Sequence, residues 1–165
     1  MFHKEIRMRF TQFATGFVVV LAMSAYAASA HASETTFNGT RVTVDSSKSY
    51  EQVVEALKSL VAKNGMMVMA EVNQGQMLSM AGLSLKATVL LVGNPTVGKQ
   101  LFEQDQAVGL YVPIRVSVYA DANGKTHVEY DRPSSLLGQF KNDKVKMVAE
   151  MLDKNLGGLA TMAAQ

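Results

Sequence analysis

The chain has 165 residues, with no cysteine, no tryptophan, and 16 lysines and arginines against 14 aspartates and glutamates. Without a thiol, disulfides, thiolate metal sites and cysteine catalysis are all excluded. A near-balanced charge with no basic stripe argues against nucleic-acid binding, which needs clustered cations to displace counterions.

The amino terminus reads as an address. His3, Lys4, Arg7 and Arg9 make a basic head, Phe10 to Ser33 carry no charge, and the stretch closes on Ala28-Ser29-Ala30-His31-Ala32. Basic head, apolar centre and small-residue end are the three parts of a secretory signal peptide. Removal of residues 1–32, by a cut after Ala32 or alternatively after Ala30, is expected. An uncleaved membrane anchor is the rival reading of the same stretch. Three of the basic residues and one of the acidic ones lie in this segment, so residues 33–165 hold 13 of each sign. The expected location is the periplasm, and no second apolar stretch follows that would hold the cleaved chain in a membrane.

Residues 33–40 are polar and are expected to be a flexible leader, followed by one domain over 41–160 and a tail at 161–165. Arg41 to Val44 alternate as a first strand. Ser49-Tyr50-Glu51-Gln52 has the form of a capping box, in which Ser49 caps and Gln52 reaches back. The helix it opens carries Val53, Leu57, Leu60 and Val61 on one stripe, and Gly65 ends it in a left-handed position. Met66 to Val72 form a second strand, with Val68, Ala70 and Val72 predicted on one face and Met67, Met69 and Glu71 on the other. A short helix is expected over 76–81. The unbroken apolar run Thr88 to Val92 reads as a strand buried on both sides.

Gly93-Asn94-Pro95 turns the chain into a helix over 96–104. Gly93 is expected to supply an unusual backbone angle, Asn94 a local hydrogen bond and Pro95 a first helical turn. Ile114, Val116 and Val118 then alternate behind Pro113. Asp121-Ala122-Asn123-Gly124 is a hairpin signal leading into a strand over 125–130. The last helix is expected near 142–156, with Val145, Val148, Leu152 and Leu156 inward. Alternating strands and helices predict an α/β fold, a two-layer α+β sandwich in a single domain. Crossovers point to a largely parallel or mixed sheet of four or five strands, with the helices mainly on one face.

One segment imitates a phosphate loop. Gly93 to Gln100 satisfies G-x-x-x-x-G-K, yet Gln100 lacks the hydroxyl that holds Mg²⁺, and Pro95 removes a backbone N–H. Glu71-Val72-Asn73, Ala81-Gly82-Leu83, Gly93-Asn94-Pro95, Val112-Pro113-Ile114, Gly124, Tyr130 and Pro133, after a helix ended by Gly65, stand in a fairly specific order. In this set, from about Val42 to Leu137, the chain resembles the domain-of-unknown-function 302 family. The resemblance implies a two-layer α/β fold, often dimeric, without an agreed activity. It departs at Asn73-Gln74, where many relatives place Asp-His, and at Lys99-Gln100 in place of Thr-Pro.

Candidate ligand contacts are Glu71, Gly93, Asn94, Pro95, Lys99 and Tyr119. Free N–H groups at the helix start, with Lys99 one turn in, would make a modest anion site. Met66, Met67, Met69, Met77 and Met80 crowd one segment, and Met77-x-x-Met80 would set two soft thioethers on one helical face for Cu(I) or Ag(I). The competing reading is ordinary packing, for which methionine is well suited. His127 is the last histidine if cleavage follows Ala32, too few for zinc; a cut after Ala30 would add His31 as a copper-chelating terminus. Glu71 is the most interesting of the carboxylates Glu71, Asp105, Glu129 and Asp131. Burial would raise its pKa for acid–base work, whereas Lys99 or Arg115 would convert it to a structural ion pair. No nucleophile elbow exists. The expectation is a periplasmic, non-enzymatic module for a small ligand or protein partner. It would act as a homodimer, with no cofactor, no nucleic acid and no membrane after cleavage. Soft-metal binding and a small hydrolase or isomerase using Glu71 are the alternatives.

Overall fold

The computed structural model describes residues 35–165, so the signal segment, both cleavage points and His31 lie outside the described residues. Strand β1 (Thr35–Asn38) occupies the stretch expected as a flexible leader and pairs with β2 (Arg41–Ser46). Helix α1 (Tyr50–Lys63) starts with the full capping box: Gln52 N–H donates to Ser49 Oγ, and Ser49 N–H donates to Gln52 Oε1. It ends as the glycine foretold. Gly65 takes φ +68°, its N–H reaches the Ala62 carbonyl and Met66 N–H reaches that of Val61, a pairing that satisfies the last carbonyls of the helix.

Next come β3 (Met67–Asn73), α2 (Gln74–Ser79), β4 (Ala87–Gly93) and α3 (Pro95–Phe102). A 3₁₀ turn (Gln106–Leu110), β5 (Ile114–Ala120), β6 (Thr126–Asp131), α4 (Pro133–Leu137) and α5 (Asp143–Ala164) complete the chain. Asp121 Oδ1 accepts from Asn123 and Lys125 N–H in the β5–β6 turn, where Gly124 has φ +81°.

The α/β class is as expected, but among the described residues the sheet has six strands in the order β1-β2-β6-β5-β4-β3, and every neighbouring pair is antiparallel. The physical reason lies in the connections. Among the described elements only α1 carries the chain across the sheet, from β2 to β3. The short helices α2 and α3, six and eight residues long, sit in links between adjacent antiparallel strands. A helix between two strands does not by itself make them parallel.

A second difference follows from a β-bulge between Val68 and Ala70. Val68 pairs with the buried Val92, but Ala70 and Val72 pair with Leu91 and Val89 on the opposite face, and Glu71 pairs with the buried Leu90. One extra residue flips every later side chain, so the alternation read across Met67–Val72 fails after Met69. Likewise β4 is fully buried on one face only, through Thr88, Leu90 and Val92, with Val89 and Leu91 half-buried on the other.

Helices α1 and α5 lie on the same side. The main core joins Leu57 and Val61 of α1, Leu90, Val116 and Val128 of the sheet, and Leu156, Leu159 and Ala163 of α5. A second cluster unites Leu101, Val108, Leu137, Val145 and Leu152 under α3 and α4. Helix α5 runs eight residues past its expected end near Leu156. Ala163 and Ala164 are buried, and Ser46 Oγ donates to the Ala164 carbonyl at 2.6 Å. The supposed tail is therefore part of the core.

Candidate functional site

The Gly93-Asn94-Pro95 turn is built from its own side chain. Pro95 opens α3 and has no N–H to satisfy. Asn94 Oδ1 accepts from Thr96 N–H at 2.8 Å and Val97 N–H at 3.2 Å, and the Asn94 carbonyl takes Gly98 N–H. Every early donor of α3 is thereby used, which removes the anion site expected there. Asn94 Nδ2 also donates to the Gly65 carbonyl at 2.7 Å, tying the turn to the end of α1. Lys99 pairs with Glu103 one turn on.

Gly93 is needed for closeness, not for an unusual angle. A Cβ there would stand 3.0 Å from Met69 Cε and 3.3 Å from Pro113 Cβ. Beside it opens a cavity of about 300 Å3, walled by Met69, Val92, Val97, Leu101, Phe102, Val112, Pro113, Ile114 and Leu152 together with the turn itself and Lys99. It sits where the two clusters meet: Val92 and Ile114 belong to the main core, Leu101 and Leu152 to the second. Of the six candidate ligand contacts, Gly93, Asn94, Pro95 and Lys99 come together here. Glu71 and Tyr119 do not.

Glu71 Oε2 lies 3.1 Å from Lys58 Nζ of α1, so its partner is neither Lys99 nor Arg115. The bulge turns Glu71 toward the helices, where Lys58 waits; neither fact was legible without the register. Met77 and Met80 stand at the end of α2 and face outward, 56% and 83% exposed. Among the described residues no group of three or more histidines, cysteines, aspartates and glutamates is placed to hold a metal ion.

Tyr119 belongs to a polar row on the sheet face away from the helices. Its hydroxyl donates to Glu129 Oε1 at 2.7 Å, and its ring stacks on His127 with centroids 5.0 Å apart. Thr43 Oγ1 also donates to Glu129, and Arg41 reaches both Glu129 and Asp131. Burial, then the Glu129 carboxylate, push the Tyr119 phenol up to about 12, so it remains a donor. His127 lies between Asp45 at 2.8 Å and Asp121 at 3.3 Å, an arrangement that the alternation of two strands far apart in sequence did not disclose.

Lys125 foremost, and His127 after it, hold the Asp45 carboxyl below its ordinary value of 3.8. A depressed carboxyl contributes stability above that ordinary value and loses it as pH falls through the folded one. Asp45→Asn is therefore expected to cost about 1 kcal/mol at pH 7. The gap between the two proteins should be present at pH 7 and narrow as pH falls below 3.8 toward the lowered folded value. Urea melts of both proteins from pH 7 to pH 3 check this; a gap that fails to narrow between pH 5 and pH 3 would contradict it.

The sequence profile of the family described as "Domain of unknown function DUF302" matches residues 42–162. The crystal structure of an uncharacterized conserved DUF302 protein from Bacillus stearothermophilus superposes with a TM-score of 0.71 at 23% identity, covering 76% of this chain and 99% of that one. Two curated relatives, the fluoride-specific ion channels FluC 1 of Brucella suis biovar 1 and FluC 1 of Brucella abortus biovar 1, are each 33% identical over 96 residues. That match takes in 58% of this chain but only 38% and 36% of theirs, so the chain spans little more than a third of the curated relatives it matches. Among the described residues no helix is long and apolar enough to cross a membrane.

Proposed function

The chain belongs to the DUF302 family, and we propose that this member is an exported, non-enzymatic homodimer that holds a small apolar molecule in the cavity beside α3. The cavity carries the reading. Its volume of about 300 Å3 lies at the lower end of small-molecule sites, and its wall is almost wholly apolar. The polar groups at its rim are already occupied, Asn94 by α3 and Gly65 and Lys99 by Glu103, so a charged ligand would find no free counter-group among them. Export rests on the tripartite amino terminus, a basic head, an apolar centre and a small-residue end.

Catalysis by Glu71 is not carried forward, because Lys58 already holds that carboxylate. The channel name of the curated relatives is not carried over either: the match covers too little of their length. Soft-metal capture is a second reading, supported by the outward thioethers of Met77 and Met80.

Indole is a suitable probe, since a chain without tryptophan leaves its fluorescence unobscured. It is expected to bind saturably with blue-shifted emission. Val97→Phe, which projects a ring into the cavity, should weaken binding tenfold or more, about 1.4 kcal/mol. Equal binding by both proteins would remove the cavity from the function. Native mass spectrometry of protein taken from its own compartment adds the subunit number and retained molecules. A copper or silver ion lost from a Met77→Leu/Met80→Leu variant would favour the second reading.

A further inference from the structure

We propose that a second small-molecule site lies between β2, β6 and α5, where the Tyr130 hydroxyl donates a hydrogen bond to the oxygen of an uncharged carbonyl compound. The space holds about 410 Å3 and shares no residue with the cavity beside α3, so it stands or falls separately. It is walled by Val42 and Val44 of β2, Gly157 and Thr161 of α5, and Tyr130, which pairs in register with Val42.

Two features meet at one spot. Tyr130 is 4% exposed, yet its hydroxyl has no hydrogen-bond partner among the described residues. A buried phenol ordinarily finds one, as Tyr50 does with Thr88 Oγ1 at 2.6 Å and Tyr119 with Glu129. Leaving the group unpaired costs stability that a phenylalanine would not lose. The hydroxyl points at Gly157: a Cβ there would lie 3.5 Å from the Tyr130 oxygen and within 4 Å of nothing else. Glycine inside the 22-residue α5 also costs stability relative to alanine. Each residue is the less stable choice at its place, and together they keep one polar atom open to the space.

The rim selects against net charge. Arg132 and Lys154 stand against Glu150 and Asp153. Arg132 donates to the Gly39 carbonyl, and Asp153 accepts from the Ser134 N–H and hydroxyl. Burial above all, then the charge of Asp153, pushes the Tyr130 phenol up to about 12, so at neutral pH it keeps its proton and donates. The valines pack an apolar body while the phenol takes its oxygen.

Acetophenone carrying carbon-13 at its carbonyl is the probe. In an NMR titration its carbonyl resonance should move downfield on binding, as hydrogen bonding to that oxygen requires. Tyr130→Phe should weaken binding about fivefold, the loss of one neutral hydrogen bond, and should melt no lower than the unaltered protein. Gly157→Ala and Gly158→Ala should both melt higher, since a Cβ at Gly158 meets nothing within 4 Å. Only Gly157→Ala, whose methyl crowds the hydroxyl, should weaken binding. Absence of binding by the unaltered protein, or equal binding by Tyr130→Phe, would overturn the site. A lowered melting temperature in Tyr130→Phe would do the same, because the hydroxyl would then already have a partner. Loss of binding in Val97→Phe but not in Tyr130→Phe would seat the probe in the cavity beside α3, overturning this site and leaving that one standing.

Discussion

Leu90→Ala is expected to lower the unfolding free energy by about 2–5 kcal/mol, because it opens a cavity where the surrounding structure cannot collapse. Leu90 is wholly buried in β4, flanked in register by Glu71 on β3 and Val116 on β5. Strands on both sides and helices above hold the backbone in place, so relaxation into the void is limited. For a domain of this size the melting temperature should fall on the order of 10 °C. Urea denaturation should show the midpoint moving at constant slope. Leu110→Ala supplies the contrast: that side chain is 81% exposed, and its loss should change stability by no more than about 0.5 kcal/mol. Equal effects at the two positions would mean that β4 is not a central strand.

Two glycines should respond to alanine with opposite signs. In a helix, alanine in place of glycine ordinarily gains up to about 1 kcal/mol. At Gly75, near the start of α2, a Cβ would lie 2.4 Å from the Leu85 carbonyl oxygen and 3.3 Å from Ala87 N. Both are backbone atoms that cannot swing aside, and Ala87 begins β4. The overpacking cost, about 1–3 kcal/mol, exceeds the helical gain, so Gly75→Ala should be net destabilising. At Gly98 in α3 a Cβ meets nothing within 4 Å, and there alanine should stabilise by about 0.5–1 kcal/mol. Thermal melts of the two variants beside the unaltered protein check the signs. A stabilised Gly75→Ala would show that α2 does not sit against the 85–87 segment as described.

The same close approach explains why this chain resists a reading by loops and ligands alone. Gly93 has the look of a turn former, yet neither it nor Gly75 takes a positive φ; each is small because a neighbouring segment passes within contact distance. Asn94 behaves otherwise. Its carboxamide caps the helix that follows and at the same time reaches back to Gly65, so a local sequence signal carries a tertiary link as well.

What the chain determines without help is whatever is settled within a few residues. The capping box at Ser49 and Gln52, the left-handed Gly65, the Asn94 cap, the Asp121–Gly124 turn and the inward stripe of α5 all depend on hydrogen bonds or periodicities spanning one or two turns. The family signature is legible for the same reason, being a series of such local devices in order. Tertiary structure alone decided the antiparallel order, since an alternating strand looks the same whichever way its neighbour runs. It also decided the bulge that sends Glu71 to Lys58, the burial of Ala163 and Ala164 beside Ser46, and the cavity wall that joins Met69 to Leu152. Each of these is a meeting of residues remote along the chain, and such meetings are set by register and packing, which no short window of sequence contains.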